Sequence, residues 1–160
     1  MTGSHEFELV TDSVDETLAL GARIGERLTP NSVIALIGTL GSGKTHLVKG
    51  IARGDRTPPD IAVNSPTFVI VNEYPGALRL FHIDAYRLSG PAELDALGFD
   101  EMCQSNGAVL VEWADRVIDA LPLDHLTIEI EIVGESSRRF QFTAHGDRSR
   151  DLVDDLKDSD

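Results

Sequence analysis

The arrangement of apolar and polar positions divides the chain into alternating strands and helices. Val33-Ile34-Ala35-Leu36-Ile37 is an unbroken apolar run between polar Asn31-Ser32 and Gly38, and Ala108-Val-Leu-Val111 is a second, ending on Glu112. Runs this short, apolar at every position, predict strands buried on both faces inside a sheet. Leu126 to Val133 alternates instead, which predicts a half-exposed strand, and Arg139-Phe-Gln-Phe-Thr143 can pair with it across the turn Gly134 to Ser137. Phe7-Glu-Leu-Val10 predicts a short edge strand.

Between these lie helical periods with readable ends. Ser13-Val-Asp-Glu16 forms a capping box, the Ser13 hydroxyl accepting from the Glu16 N–H and Glu16 reaching back to Ser13. Val14, Leu18, Ala22, Gly25 and Leu28 then make one helical face, which Pro30 closes off. A second helix is predicted from His46 to Arg53, ended by Gly54. Pro91 opens a short third helix that stops at Gly98, and Ala114 to Ala120 predicts a fourth before Pro122. Gly54 to Asp60, with Pro58-Pro59, is a surface loop. Pro66 forces Asn64-Ser65 out of helical geometry, so a bend precedes an extended Phe68-Val-Ile-Val71 strand. Asn72-Glu-Tyr-Pro-Gly76 reads as a turn and Leu78 to Asp84 as the returning strand, a hairpin that makes the sheet mixed.

Composition narrows the class without choosing the function. At 160 residues, 41% hydrophobic and 26% charged, the chain reads as one soluble domain over residues 1–150. Residues 151–160, with five Asp and few apolar side chains, read as an acidic tail or frayed helix. With 27 Asp and Glu against 14 Lys and Arg, the net charge of -13 argues against autonomous DNA or RNA binding. Cys103 is the only cysteine, which excludes an intrachain disulfide and a cysteine-cluster metal site. Neither a signal peptide nor an apolar run of membrane-spanning length is visible, and the expected location is the cytoplasm.

Candidate chemistry enters where the first apolar run ends. Gly38-Thr-Leu-Gly-Ser-Gly-Lys-Thr45 fits G-x-x-x-x-G-K-[ST], the loop whose backbone N–H groups wrap a polyphosphate between a strand and a helix. Lys44 supplies charge for the phosphates, and the Thr45 hydroxyl suits Mg²⁺. An acid at the end of a neighbouring apolar strand completes such a site, and two qualify: Asp84 after Leu80-Phe-His-Ile83, and Glu112. One would hold Mg²⁺ and the other polarise an attacking water, and the letters do not divide the roles. Ser65 and Thr67 stand where a hydroxyl senses a terminal phosphate, or where it merely caps a proline turn. His82 reads as a hydrogen-bonded core histidine, and Trp113, the sole tryptophan, adjoins Glu112 as its reporter. The predicted architecture is α/β: a P-loop NTPase-like three-layer sandwich with a mixed, mostly parallel central sheet, helices on both faces and a β-hairpin.

Taken in order, the loop, Ser65-Pro-Thr-Phe68, His82-Ile-Asp-Ala-Tyr-Arg-Leu88, Glu93-Leu94, Leu97-Gly98 and Val111-Glu-Trp113 resemble the TsaE (YjeE) family from about Ser13 to Arg139. That resemblance implies a Mg²⁺-dependent ATPase required for tRNA threonylcarbamoyladenosine modification. It would act on a TsaD–TsaB heterodimer and meet tRNA only through that complex. It puts ATP on Thr39, Leu40, Gly41, Ser42, Gly43, Lys44 and Thr45, with His46 closing the loop where relatives often carry a hydroxyl. Mg²⁺ would lie near Thr45, Asp84 and Glu112, a switch-like role would fall to Ser65 through Phe68, and Trp113 would line the site. Ala85 and Ala114 also depart from the usual pattern without altering a reactive group, and Arg138 or Arg139 is a further candidate to reach the nucleotide. Two other readings stay open, a small-molecule kinase and an ATP-dependent docking module with negligible turnover. A GTPase is disfavoured because no Asn-Lys-x-Asp occurs.

Overall fold

The strand that feeds the glycine loop lies at the middle of a seven-stranded sheet in the computed structural model, which describes residues 5–39, 41–64 and 70–158. In chain order the elements are β1 His5–Thr11, α1 Val14–Glu26, β2 Ser32–Gly38, α2 Lys44–Gly54, β3 Val71–Tyr74, β4 Leu80–Asp84, α3 Pro91–Ala96 and α4 Phe99–Cys103. There follow β5 Ala108–Glu112, a 3-10 helix Ala114–Ala120, β6 Leu126–Ile132, β7 Arg138–Ala144 and α5 Asp147–Asp158. The sheet order is β1-β7-β6-β2-β5-β4-β3. Its centre, β6-β2-β5-β4, is parallel, while β7 and β1 on one side and β3 on the other are antiparallel. The sheet is mixed as expected, but the pairings divide evenly between parallel and antiparallel, because the last hairpin continues the sheet into β1.

Two cores flank the sheet, and the period of two along each strand decides which residue joins which. Ile34, Leu36, Ala108, Leu110 and Leu80 face α1, α2 and α5, whereas Val33, Ala35, Val109, Val111, Phe81 and Ile83 face α3, α4 and the 3-10 helix. This explains why Val33 to Ile37 of β2 and Ala108 to Val111 of β5 are apolar at every position. No helix among the described residues is long and apolar enough to cross a membrane.

Helix α1 begins as its capping box predicts, with the Glu16 N–H donating to Ser13 Oγ at 3.1 Å, although the Glu16 carboxylate accepts from the N–H of Asp12 rather than that of Ser13. Its buried face is Thr17, Leu20, Gly21, Ile24 and Gly25, with Val14 48% exposed, so the expected stripe is rotated. The cause is glycine packing. Gly21 and Gly25 lie against Gly50 and the backbone of α2, and a Cβ on Gly21 would stand 2.5 Å from the Leu47 carbonyl oxygen and 2.8 Å from Gly50 Cα.

Asn72, Glu73 and Tyr74, expected as turn, belong to β3, because Tyr74 is buried against β4 through the register Asn72↔His82 and Tyr74↔Leu80. Phe68 and Val69 of the expected strand lie outside the described residues. Gly98, at φ +84°, ends α3 and starts α4, an additional short helix. Residues 151–158, read as tail or frayed helix, are the greater part of α5 and are docked. Leu152, Val153 and Leu156 enter the core, and Arg23 donates to the Leu156 carbonyl at 2.8 Å.

Candidate functional site

Strand register brings the expected chemistry to one edge. Leu36 of β2 stands beside Glu112 of β5, and Glu112 beside Asp84 of β4, so both acids end their strands next to the turn into the glycine loop. The shared parity of Leu80, His82 and Asp84 on β4, and of Leu110 and Glu112 on β5, directs these polar groups to the side covered by α2. Asp84 is 7% exposed and Glu112 2%.

The loop is shaped by two glycines in the left-handed region, Gly41 at φ +80° and Gly43 at φ +108°. Gly43 is also the N-cap of α2 and offers no side-chain cap, so the helix presents its first-turn N–H groups and the positive end of its dipole to the loop. Ser42 is fully buried, Thr45 half-buried on the first turn, and Thr39, Gly41 and His46 exposed. Leu40 lies outside the described residues, as do Ser65, Thr67 and the remainder of the Ser65 to Phe68 stretch.

Lys44 is held by the loop that it follows. Its Nζ donates to the carbonyls of Gly38 at 2.5 Å and Thr39 at 2.9 Å, with Ser42 Oγ at 3.4 Å. The Trp113 ring centroid lies 4.2 Å from the same nitrogen, a cation–π contact. Trp113 has φ +58°, an unusual backbone for a bulky residue, and this sharp turn immediately after Glu112 is what folds the indole back over the lysine. Burial pushes the Lys44 ammonium below its ordinary pKa, and the carboxylates of Glu112, Asp84 and Asp115 oppose that.

Both acids are fixed by neighbours. Asp84 Oδ1 accepts from the Tyr86 N–H at 2.9 Å, while the Asp84 N–H donates to the Ile70 carbonyl at 2.9 Å. Glu112 Oε2 lies 2.5 Å from His82 Nε2, and His82 Nδ1 lies 3.1 Å from the Tyr74 hydroxyl. The sequence identified His82 as a hydrogen-bonded core residue, but not its partners, which are 30 and 8 positions away. Arg138 was also incompletely legible. It donates to loop carbonyls, Nε to Ser42 at 3.0 Å and Nη2 to Gly41 at 3.4 Å, and so braces the loop from β7. Arg139 points elsewhere, to Glu131 and Glu8.

Two carboxylates and a threonine hydroxyl form a hard oxygen donor set, which suits Mg²⁺. Among the described residues no three His, Cys, Asp or Glu side chains gather into a metal-holding group. A P-loop metal does not require one, since phosphate oxygens and water complete its shell. The residues present therefore fit Mg²⁺ brought with a nucleotide.

A strand, a glycine loop and a helix, with acids ending the adjacent strands, define a P-loop NTPase-like α/β protein. Comparison with known proteins makes this particular. The family described as "Threonylcarbamoyl adenosine biosynthesis protein TsaE" matches residues 11–140. Curated proteins named tRNA threonylcarbamoyladenosine biosynthesis protein TsaE are similar along most of the chain. That of Bacillus subtilis is 39% identical over 94% of this chain and 93% of its own, and that of Treponema pallidum 35% identical over 81% and 94%. A crystal structure of YdiB from Bacillus subtilis superposes with a TM-score of 0.85 at 34% identity, covering 98% of this chain and 97% of its own. The chain belongs to the TsaE family.

Proposed function

We propose that this protein binds ATP with Mg²⁺ on Gly38 to Thr45 and hydrolyses it in support of tRNA threonylcarbamoyladenosine formation, acting on a TsaD–TsaB pair in the cytoplasm. The observation that carries the reading is the register that sets Asp84 against Glu112, and Glu112 against the strand feeding the loop. Family membership supports the pathway, and the net charge of -13 favours contact with tRNA through partners rather than directly.

In this reading the backbone N–H groups from Gly41 to Thr45 orient the phosphates, and Lys44 exchanges its loop carbonyls for phosphate oxygens. Arg138 keeps the loop carbonyls of Gly41 and Ser42 turned away from the anion. Thr45, Asp84 and Glu112 would hold Mg²⁺ between them, directly or through water, and the ion would neutralise charge developing on the phosphates. Glu112, with one oxygen tied to His82, retains the other to orient the attacking water. Trp113 shields Lys44 from solvent and reports on the nucleotide.

Phosphate release with and without a TsaD–TsaB pair tests the proposal. Slow release from ATP alone and faster release with the pair support it. Strong preference for GTP, transfer of phosphate to a metabolite, or ATP-dependent docking without release would overturn it in favour of another class.

A further inference from the structure

A polar chain runs from the site through the core to the surface at Asn64, and the functional reading above uses only its first link. Glu112 Oε2 meets His82 Nε2 at 2.5 Å, His82 Nδ1 meets the Tyr74 hydroxyl at 3.1 Å, and that hydroxyl is 3.1 Å from the Asn64 carbonyl oxygen. Asn72 Nδ2 closes the far end, 3.4 Å from both the Tyr74 oxygen and the Asn64 carbonyl. His82 is 0% exposed, Glu112 2% and Tyr74 3%. Around Glu112, His82 and Tyr74 a partner removed leaves a buried group unsatisfied, which holds carboxylate and imidazole in place, whereas the Asn64 end is exposed.

The two ends of this network are what make it more than a packing detail. Asn64 immediately precedes residues 65–69, and Ile70, which follows them, gives its carbonyl to the Asp84 N–H at 2.9 Å. The chain on either side of 65–69 is thus tied to the two site acids, to Glu112 through the side chains of Tyr74 and His82 and to Asp84 through its main-chain N–H. With His82 as the Nε2–H tautomer donating to Glu112, Tyr74 has one proton and two acceptors, His82 Nδ1 and the Asn64 carbonyl. When it turns to Nδ1, Asn72 still serves Asn64. The hydroxyl therefore joins the carboxylate to the main chain through a bond that has two arrangements.

We infer that His82 and Tyr74 are positioning residues that aim the Glu112 carboxylate and couple it to the backbone at Asn64. The catalytic part of this rests on the Mg²⁺-ATP reading, and the coupling itself does not. Tyr74→Phe removes one hydroxyl without changing packing volume, and His82→Gln replaces the ring that touches Glu112 but not Asn64. In nucleotide-free protein, His82→Gln and Tyr74→Phe should each shift the Asn64 carbonyl 13C resonance, which reads the hydrogen bonds that this oxygen accepts. An Asn64 carbonyl resonance that keeps its wild-type position in His82→Gln overturns the coupling, whatever the protein hydrolyses. With Mg²⁺-ATP, Tyr74→Phe should lower kcat about tenfold and raise the Mg²⁺ concentration for half-maximal turnover, while ATP affinity measured without Mg²⁺ stays within about threefold. Unchanged kcat and Mg²⁺ dependence, or an equal loss of stability and nucleotide affinity, overturns the positioning role. A wild-type protein that neither binds nor hydrolyses ATP defeats the nucleotide reading instead, and the Asn64 carbonyl resonance then still decides the coupling.

Discussion

Asp55 provides a prediction whose size follows from its surroundings. It caps the C-terminal end of α2, is 2% exposed, and holds the β3–β4 turn by accepting the Leu78 N–H on Oδ1 at 2.9 Å. Its second oxygen, Oδ2, is buried without a hydrogen-bond partner among the described residues. Burial pushes the carboxyl up from 3.8 to about 6, and the Leu78 amide offsets only part of this. The folded protein therefore holds the Asp55 proton more tightly than the unfolded chain. Stability from this group is highest below 3.8, falls as pH rises towards 6, and is flat above. A shift of about two pH units corresponds to a penalty of up to about 3 kcal/mol at neutral pH. Asp55→Asn keeps the acceptor for Leu78 and removes the charge, at the cost of an amide that must find its own partner. The variant should gain about 1 to 2 kcal/mol at pH 8, or roughly 2 to 8 °C in Tm, and nothing at pH 4. Paired thermal melts from pH 4 to 8 read this directly. A variant that melts at or below wild type at pH 8, or a difference that does not change with pH, refutes the argument.

Three further outcomes follow from contacts elsewhere. Gly21→Ala drives a methyl into the backbone of α2, which has no side chain to swing aside, and should lower Tm by about 5 °C or more, from about 2 to 3 kcal/mol of overpacking; a Tm within a degree of wild type would contradict the packing account. Arg138→Ala frees the carbonyls of Gly41 and Ser42 and should weaken ATP binding about tenfold in calorimetry with little change in melting temperature, corresponding to about 1.4 kcal/mol, whereas unchanged affinity would remove the brace from the account. Asp84→Ala and Glu112→Ala should each lower kcat by about 100-fold or more with a smaller loss of nucleotide affinity, and normal Mg²⁺-dependent turnover in either would remove that acid from the mechanism.

The parts of the fold that were legible in the sequence are those set by local pattern. Val33 to Ile37 and Ala108 to Val111 are apolar at every position because both faces of β2 and β5 are covered, and the same burial places Glu112 at a strand end. What escaped depended on partners distant in sequence. The face of α1 was misplaced because Gly21, unlike Gly25, was left out of the expected stripe for want of an apolar side chain, yet the lack of a Cβ at both is what admits α2. Tyr74 sits among turn-forming letters, and its place in β3 is decided by its pairing with Leu80 and by the contact of its hydroxyl with His82. In α5 the spacing of Leu152, Val153 and Leu156 carried a helical signal that the run of aspartates obscured. The candidate site divides in the same way. Lys44, Thr45 and the acids follow from motif and strand ends, whereas the His82 support of Glu112 and the Arg138 brace need strand register to be seen.

Titration of Mg²⁺-ATP into the wild-type protein and into Lys44→Ala, followed calorimetrically and by Trp113 emission, tests the central claim most directly. The indole lies 4.2 Å from the lysine nitrogen that the phosphates would draw away. Saturable binding with a change in emission in the wild type, both lost in Lys44→Ala, is the predicted result. Equal ATP affinity in the two proteins, or none in the wild type, would contradict it.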